Sequence, residues 1–243
     1  MENIVWIGSI LGLAAVVQTL AGFGFALVAI ALLSLINLPL DIARPLVLTM
    51  ALLSSVSLVI GYRKSLDWGA IAPLLFSALV MIPVGLLSIN YLSEQVTLRS
   101  LGAFIICYVI YDVLKASTQL LTLSGLSSPC WAYLFGGLSG FLTGALTIPG
   151  PPLAMYANSQ SWSAEKLKAN VPIILAIVQL STLMGHGYKG NLTAEVGRLA
   201  LYSLPFFLVG MGVSAKLSAR IDEKRFKQIV LILLGGIGLK LLF

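Results

Sequence analysis

Long apolar stretches follow one another along the whole chain, separated by short connections that hold most of the charged residues. The stretches cover residues 4–38, 42–61, 68–90, 100–121, 131–158, 169–187, 196–215 and 226–243. Six of them are about 18 to 23 residues long, enough for one helix to cross a hydrocarbon layer about 30 Å thick. This pattern predicts an all-α polytopic membrane protein.

The first and fifth stretches are longer than one crossing requires, and each contains residues that interrupt a helix. The first holds QTLAGFGF at residues 18–25, and the fifth holds TGALTIPGPP at residues 143–152. Glycine permits turns, and proline removes a backbone donor from the helix. We therefore predict that each stretch is either a broken crossing or a re-entrant hairpin, and the pattern leaves both open.

One sequence pattern occurs twice at a constant spacing. GYRKSL at residues 61–66 matches GYKGNL at residues 187–192, a shift of 126 positions. The same shift relates Gly24 to Gly150 and Ser55 to Ser181. Internal repeats of this kind are typical of secondary transporters. We predict two membrane repeats, residues 1–125 and 126–243, which together form one transport unit.

The orientation of the two repeats depends on the interrupted stretches. If each stretch is a hairpin, a repeat crosses three times and the repeats are inverted; if each crosses once, the repeats are parallel. Basic residues favour a cytoplasmic location for Arg63 and Lys64 and for the regions 166–168 and 216–227. This distribution favours inverted repeats. Both alternatives place the two termini on the outside, which is the periplasmic side in a bacterial inner membrane.

Composition narrows the class of protein further. The chain is 58% hydrophobic and only 10% charged, which is too apolar for a soluble domain. Its formal charge of +6 lies mostly in the connections, as membrane topology predicts, so we expect no nucleic acid partner. The expected partners are the lipid bilayer and a small anionic substrate, and the sequence leaves a homodimer open. Two cysteines and one histidine indicate no disulfide framework, metal site or cofactor.

The interrupted stretches are also the best candidates for a binding site. Broken helices survive at membrane depth only beside protein or a water-filled cavity, and the N-terminus of a half-helix attracts an anion. Among the acidic residues only Asp112 lies within an apolar stretch, which argues against a cation carrier. The candidate substrate-binding residues are Gln18, Thr19, Gly22, Gly24, Arg44, Thr143, Gly150, Pro151, Tyr156, Asn158, Asn170 and Gln179, with His186 as a candidate proton carrier.

Each of these candidates also has a purely structural interpretation. The glycines and prolines can serve close helix packing, and the polar side chains can form hydrogen bonds between helices. Arg44 can extend its charged end to the membrane surface, and His186 can be an ordinary interfacial histidine. The pairing of two breaks at corresponding places is what favours a binding site over these alternatives.

The segment GGLSGFLTGALTIPGPPLAMY at residues 136–156 resembles the second signature segment of the sulfite exporter TauE/SafE family, also called the toluenesulfonate uptake permease family. QTLAGFGFALVAI at residues 18–30 falls on the first signature segment, although it departs from the commoner, glycine-richer form. The resemblance implies a membrane carrier of sulfite, sulfonates or related organic anions. It places seven candidates on the signature segments: Gln18, Gly22, Gly24, Thr143, Gly150, Pro151 and Tyr156.

The leading hypothesis is therefore a secondary transporter, and more specifically an exporter, of sulfite or of sulfonates such as sulfoacetate, isethionate and taurine. It would work by alternating access around the paired breaks. Export is favoured because the membrane potential, negative inside, drives an anion outward. A passive anion channel and an uptake carrier for carboxylates are alternatives. A membrane enzyme is disfavoured because the sequence has no paired carboxylates at depth, histidine cluster or nucleophile elbow.

Overall fold

A computed structural model describes residues 2–21, 24–62, 65–117, 128–160, 162–217 and 223–243. The predicted all-α class is confirmed, since these residues form ten α-helices, a short 3₁₀ turn and no strand. The helices are α1 (Glu2–Ala21), α2 (Phe25–Leu35), α3 (Leu40–Tyr62), α4 (Trp68–Ser88), α5 (Glu94–Ser117), α6 (Pro129–Leu146), α7 (Gly150–Ser159), α8 (Ala164–Tyr188), α9 (Ala194–Leu217) and α10 (Glu223–Leu242).

Both predicted interruptions are present. In the first stretch α1 ends at Ala21 and α2 begins at Phe25, and Gly24 just before α2 has a φ of 105°, which favours glycine. The fifth stretch forms α6 and α7, separated at residues 147–149. There the left-handed residue is Thr147, with a φ of 66°, although a branched side chain disfavours this conformation. In each repeat, a short half-helix thus follows a longer helix.

Helix length bears on which stretches can cross a membrane. Among the described residues, α3, α4, α5, α8 and α9 are long and apolar enough to do so. The apolar parts of α1, α2, α6 and α10 are shorter. Helix α10 as a whole has 20 residues, Glu223–Leu242, so an ordinary span for the last stretch stays a prediction.

Small residues bring α4 and α6 into close contact. Glycines at successive turns of α6 lie on successive turns of α4: Gly136 on Leu74, Gly140 on Ala78 and Gly144 on Ile82. A Cβ at Gly140 would approach the Cα of Ala78 to 2.7 Å, so no larger residue fits without a shift. Because the residue numbers rise together, α4 and α6 run in the same direction.

The same kind of packing joins α1 to α9. Gly8 lies against Phe206, and Gly12 lies between Phe206 and Gly210. The residue numbers again rise together, so these helices also run in the same direction. In both pairs a helix from one predicted repeat packs on a helix from the other, as small residues commonly allow between membrane helices.

Contacts at the two ends of α8 show the direction in which this helix runs. Near its start, the Asn170 side-chain oxygen accepts a hydrogen bond from the backbone N–H of Asp67, between α3 and α4, at 3.0 Å. Just beyond its end, Lys189 Nζ donates to the carbonyl of Leu86, in the last turn of α4, at 2.6 Å. The start of α8 therefore lies beside the end of α3 and the start of α4. Accordingly, α8 runs with α4 and against α3.

These directions distinguish a hairpin from a broken crossing in the second repeat. Helices α6, α4 and α8 all run in the same direction, and α7 joins α6 to α8. The chain must therefore return between α6 and α8, which supports the hairpin alternative for the α6–α7 segment.

Two hydrophobic cores divide the helices in a way that does not follow the repeats. One core joins buried residues of α4, α6, α7 and α8, including Leu74, Phe135 and Leu175. The other joins α1, α2, α3, α5, α9 and α10, together with the end of α6. Helix α4 thus packs with helices of residues 126–243 and α9 with helices of residues 1–125, so the two predicted repeats share both cores.

Candidate functional site

The two helix breaks meet at one small cavity. Its lining includes Gln18 from α1 and Gln179 from α8, together with residues of both breaks. The residues from the breaks are Gly24, Phe25, Ala26, Leu27, Ile148, Pro149, Gly150 and Pro151, and Leu175 completes the lining. The enclosed space is about 10 Å³, room for about one water molecule. The structure thus brings together Gln18, Gly24, Gly150, Pro151 and Gln179 from the predicted set.

A serine connects the two glutamines. Gln18 Nε2 donates to the Ser55 hydroxyl at 3.4 Å, and that hydroxyl donates to Gln179 Oε1 at 3.0 Å. Gln18, Ser55 and Gln179 are each at most 2% exposed. Within the described ranges, the Gln179 amide nitrogen makes no hydrogen bond, so both of its N–H groups are available to a ligand.

The N-terminus of α2 contributes a partial positive charge to the cavity. Its first intrahelical hydrogen bond runs from Val28 N–H to the Gly24 carbonyl at 3.0 Å. The N–H groups of Phe25, Ala26 and Leu27 therefore precede the first bond, and no side chain caps them. Uncapped N–H groups at a helix N-terminus are well suited to hold an anion.

The N-terminus of α7 is different because prolines follow its first residue. Gly150 keeps its N–H, whereas Pro151 and Pro152 have none. No side chain caps this helix. The two breaks are therefore unequal: α2 has three free donors and α7 has one, although both helix dipoles point to the same cavity.

Buried hydroxyl groups support the α6–α7 break. Thr143 donates to the Ser139 carbonyl at 2.5 Å, and the Ser139 hydroxyl donates to the Pro149 carbonyl at 2.8 Å. Thr143 thus acts through its own helix and does not line the cavity. Thr147 is fully buried, and its hydroxyl has no hydrogen-bond partner among the described residues.

Other predicted residues lie away from the cavity. Thr19 donates to the carbonyl of Ala15 in its own helix. Tyr156 packs between Phe135 and Trp162, with ring centroids 6.0 and 6.1 Å apart.

Asn158 and Gly22 are the remaining candidates from the two interrupted stretches. Asn158 is exposed on α7, so the structure does not place it with the glutamines. Gly22 lies outside the described residues.

Arg44, Asn170 and His186 lie at the two ends of the α3–α8 pair. Asn170 is fully buried beside Asp67, and its amide nitrogen has no partner among the described residues. Asp67 also pairs with Lys166 at 2.9 Å, and this hydrogen bond holds the pKa of the Asp67 carboxyl below its usual value. Arg44 and His186 are buried at the opposite end.

Sequence reasoning missed two residues of this region as site candidates. Ser55 carried a signal, since the repeat matches it to Ser181, but Ser181 bonds to the carbonyl of Ile177 in its own helix. Thr147 gave no signal in the sequence, because a left-handed conformation is not expected for a threonine.

Comparison with known proteins points to one family. The family model for "Sulfite exporter TauE/SafE" matches residues 7–241. A protein of Cupriavidus necator described as "Probable sulfite/organosulfonate exporter TauE" is 22% identical over 235 residues, covering 96% of this chain and 91% of the relative. No solved structure matches the chain.

Proposed function

Because the chain belongs to the sulfite exporter TauE/SafE family, a family of membrane transporters and not of enzymes, we propose that it exports sulfite or a small organosulfonate through the cavity at its paired helix breaks. The carrying observation is the convergence of two uncapped helix N-termini and two buried glutamines on one cavity. Oxygens of a sulfur anion can accept hydrogen bonds from all of these groups.

The proposed binding site uses neutral donors. Among the described residues that line the cavity, none carries a charge. Backbone N–H groups and amides stabilise an anion without adding a buried charge that would hold it permanently. The same arrangement suits a carrier, which has to bind its substrate and then release it.

The small volume favours a carrier over a passive channel. A cavity with room for about one water molecule is too small for a sulfur oxyanion, so the site has to open before it can be loaded. We propose that two groups of helices move against each other in alternating access. Each group combines helices of one repeat with a single helix of the other. One group is α4 with α6–α8, and the other is α1–α3 with α9.

The proposed topology has inverted repeats. The opposite directions of α3 and α8, which are equivalent helices of the two repeats, support it. With the basic connections on the cytoplasmic side of a bacterial inner membrane, both termini are periplasmic. A potential that is negative inside then drives the anion outward by about 2.3 kcal/mol per charge per 100 mV.

Counterflow in proteoliposomes tests this proposal. Vesicles loaded with unlabelled sulfite or isethionate should transiently accumulate the labelled substrate. Gln179→Ala should weaken apparent affinity about 10- to 150-fold, since a hydrogen bond to a charged group contributes about 1.5–3 kcal/mol. The control is Gln95→Ala, an exposed glutamine on α5. Flux without counterflow would indicate a channel, and equal behaviour of both variants would place the site elsewhere.

A further inference from the structure

A second group of polar residues lies away from the cavity, at the end of the α3–α8 pair opposite Asp67. Arg44 is in the first turns of α3, His186 is in the last turn of α8, and Lys189 follows α8. Arg44 is 5% exposed and His186 is 1% exposed. Because α8 runs against α3, the start of α3 and the end of α8 lie at the same end of this pair, which places Arg44, His186 and Lys189 at one end of it.

The His186 ring has an unused donor. Its Nδ1 lies 3.0 Å from the side-chain nitrogen of Asn191. An amide nitrogen can only donate, so Nδ1 accepts and the ring proton is on Nε2. Nε2 is buried and has no partner among the described residues. A buried donor of this kind usually has a partner, so this one indicates that a ligand or water occupies the position.

Two acidic residues attract Arg44 without forming an ion pair with it, so its guanidinium can still bind an anion. Asp41 and Glu94 attract Arg44, but both are exposed, and within the described part of the chain neither forms an ion pair with it. Glu94 accepts instead from the backbone N–H of Leu40 at 3.3 Å.

Lys189 uses two of its three N–H donors, which leaves one for a ligand. Its ammonium donates to the Leu86 carbonyl and to Asn90 Oδ1 at 3.0 Å, which uses two of its three N–H bonds. Burial and the charge of Arg44 lower the pKa of Lys189. The third N–H bond of Lys189 is thus available to a ligand at the end of the α3–α8 pair where Arg44 lies.

We infer that Arg44, His186 Nε2 and Lys189 form a second oxyanion site, distinct from the cavity at the breaks and on one side of the membrane only. The corresponding position in the other repeat is Asn170, which carries no charge and bonds to Asp67. The anion would therefore be held at one end of its path and not at the other. The site can bind an oxyanion whether or not the cavity is the transport site.

Nuclear magnetic resonance on histidine tests this inference, because His186 is the only histidine in the chain. Purified protein with ¹⁵N-labelled histidine would be titrated with sodium sulfate or sulfite at constant ionic strength. The free protein should show the tautomer with the proton on Nε2. The Nε2 resonance should then move in a saturable way, and Arg44→Gln should weaken the apparent affinity at least about 10-fold.

Two variants separate this site from the cavity and from general charge effects. Gln18→Ala should leave the histidine response unchanged, whatever its effect on transport. Arg99→Gln, which removes an exposed arginine from α5, should also leave it unchanged. If Arg44→Gln does not fold, Lys189→Gln replaces it, with a smaller expected loss because Lys189 is less buried than Arg44.

The inference is overturned if the free protein carries the ring proton on Nδ1, or if saturating anion leaves the folded wild-type resonance unmoved. It is also overturned if the response appears only in nanodiscs containing phosphatidylglycerol and not with free sulfate or sulfite. That result would assign the site to a lipid phosphodiester.

Discussion

The close contact between α4 and α6 gives a sharp prediction about stability. Gly140 of α6 lies on α4, where an added Cβ would come within 2.7 Å of both the Cα and the carbonyl carbon of Ala78. Backbone atoms cannot rotate aside as a flexible side chain can, so Gly140→Ala must separate the two helices. Overpacking of this kind costs about 1–3 kcal/mol. Because α4 and α6 share a hydrophobic core with α7 and α8, the cost should appear as a loss of overall stability.

The loss can be measured by thermal unfolding of the purified protein in detergent. For a chain of this size, about 1 kcal/mol corresponds to about 2–4 °C, so Gly140→Ala should lower Tm by about 2–12 °C. Gly212→Ala is the matched control, since nothing lies within 4 Å of its added Cβ. Alanine in a helix interior should leave Tm unchanged or raise it slightly. Equal Tm values for the two variants would refute the close packing of α4 on α6.

Two further predictions concern the α6–α7 break and the Asp67 pair. Thr147→Gly should raise the free energy of unfolding by about 1 kcal/mol, because glycine tolerates the φ of 66° that threonine does not. Chemical denaturation measures this, with Thr97→Gly in the first turn of α5 as the control. The control should be destabilised, because it loses the hydrogen bond from the Thr97 hydroxyl to the Ser93 carbonyl. A similar loss in both variants would contradict backbone strain at Thr147. The pKa of Asp67 is lowered on folding. The pair with Lys166 therefore stabilises the protein at pH values above the usual aspartate pKa. This stabilisation is lost as the pH falls through the lowered pKa of Asp67. Lys166→Gln should therefore show a smaller drop in Tm than wild type between pH 6 and acid, and an identical drop would show that the pair has no such role.

Much of the local structure could be predicted from residue types. The position of each break follows from glycine and proline chemistry, which acts within one or two turns of the backbone. The all-α class follows from the apolar stretches, because a chain in lipid must satisfy its own backbone hydrogen bonds. Gln18, Gly24, Gly150 and Gln179 could also be predicted as cavity residues from local features of the sequence. Each of them lies at or near a break or inside an apolar stretch.

Side-chain partners could not be predicted in this way. Ser55 joins Gln18 to Gln179 across positions that are far apart in the chain, and only the packing of α1 and α8 on α3 brings them together. Asn158 is polar and near a break, yet it is exposed, because the helical position of a side chain relative to a cavity depends on how the helix is rotated. Nothing in a one-dimensional pattern reports that rotation.

The sequence by itself determined where the helices run and break, because backbone conformation and burial in lipid depend on local composition. Only the tertiary structure decided that α4 packs with the second repeat and α9 with the first. It alone brought Arg44 and His186 to the same end of the α3–α8 pair and left Nε2 without a partner among the described residues. The physical reason is that close packing depends on which small residues face each other, and that is a property of two helices together.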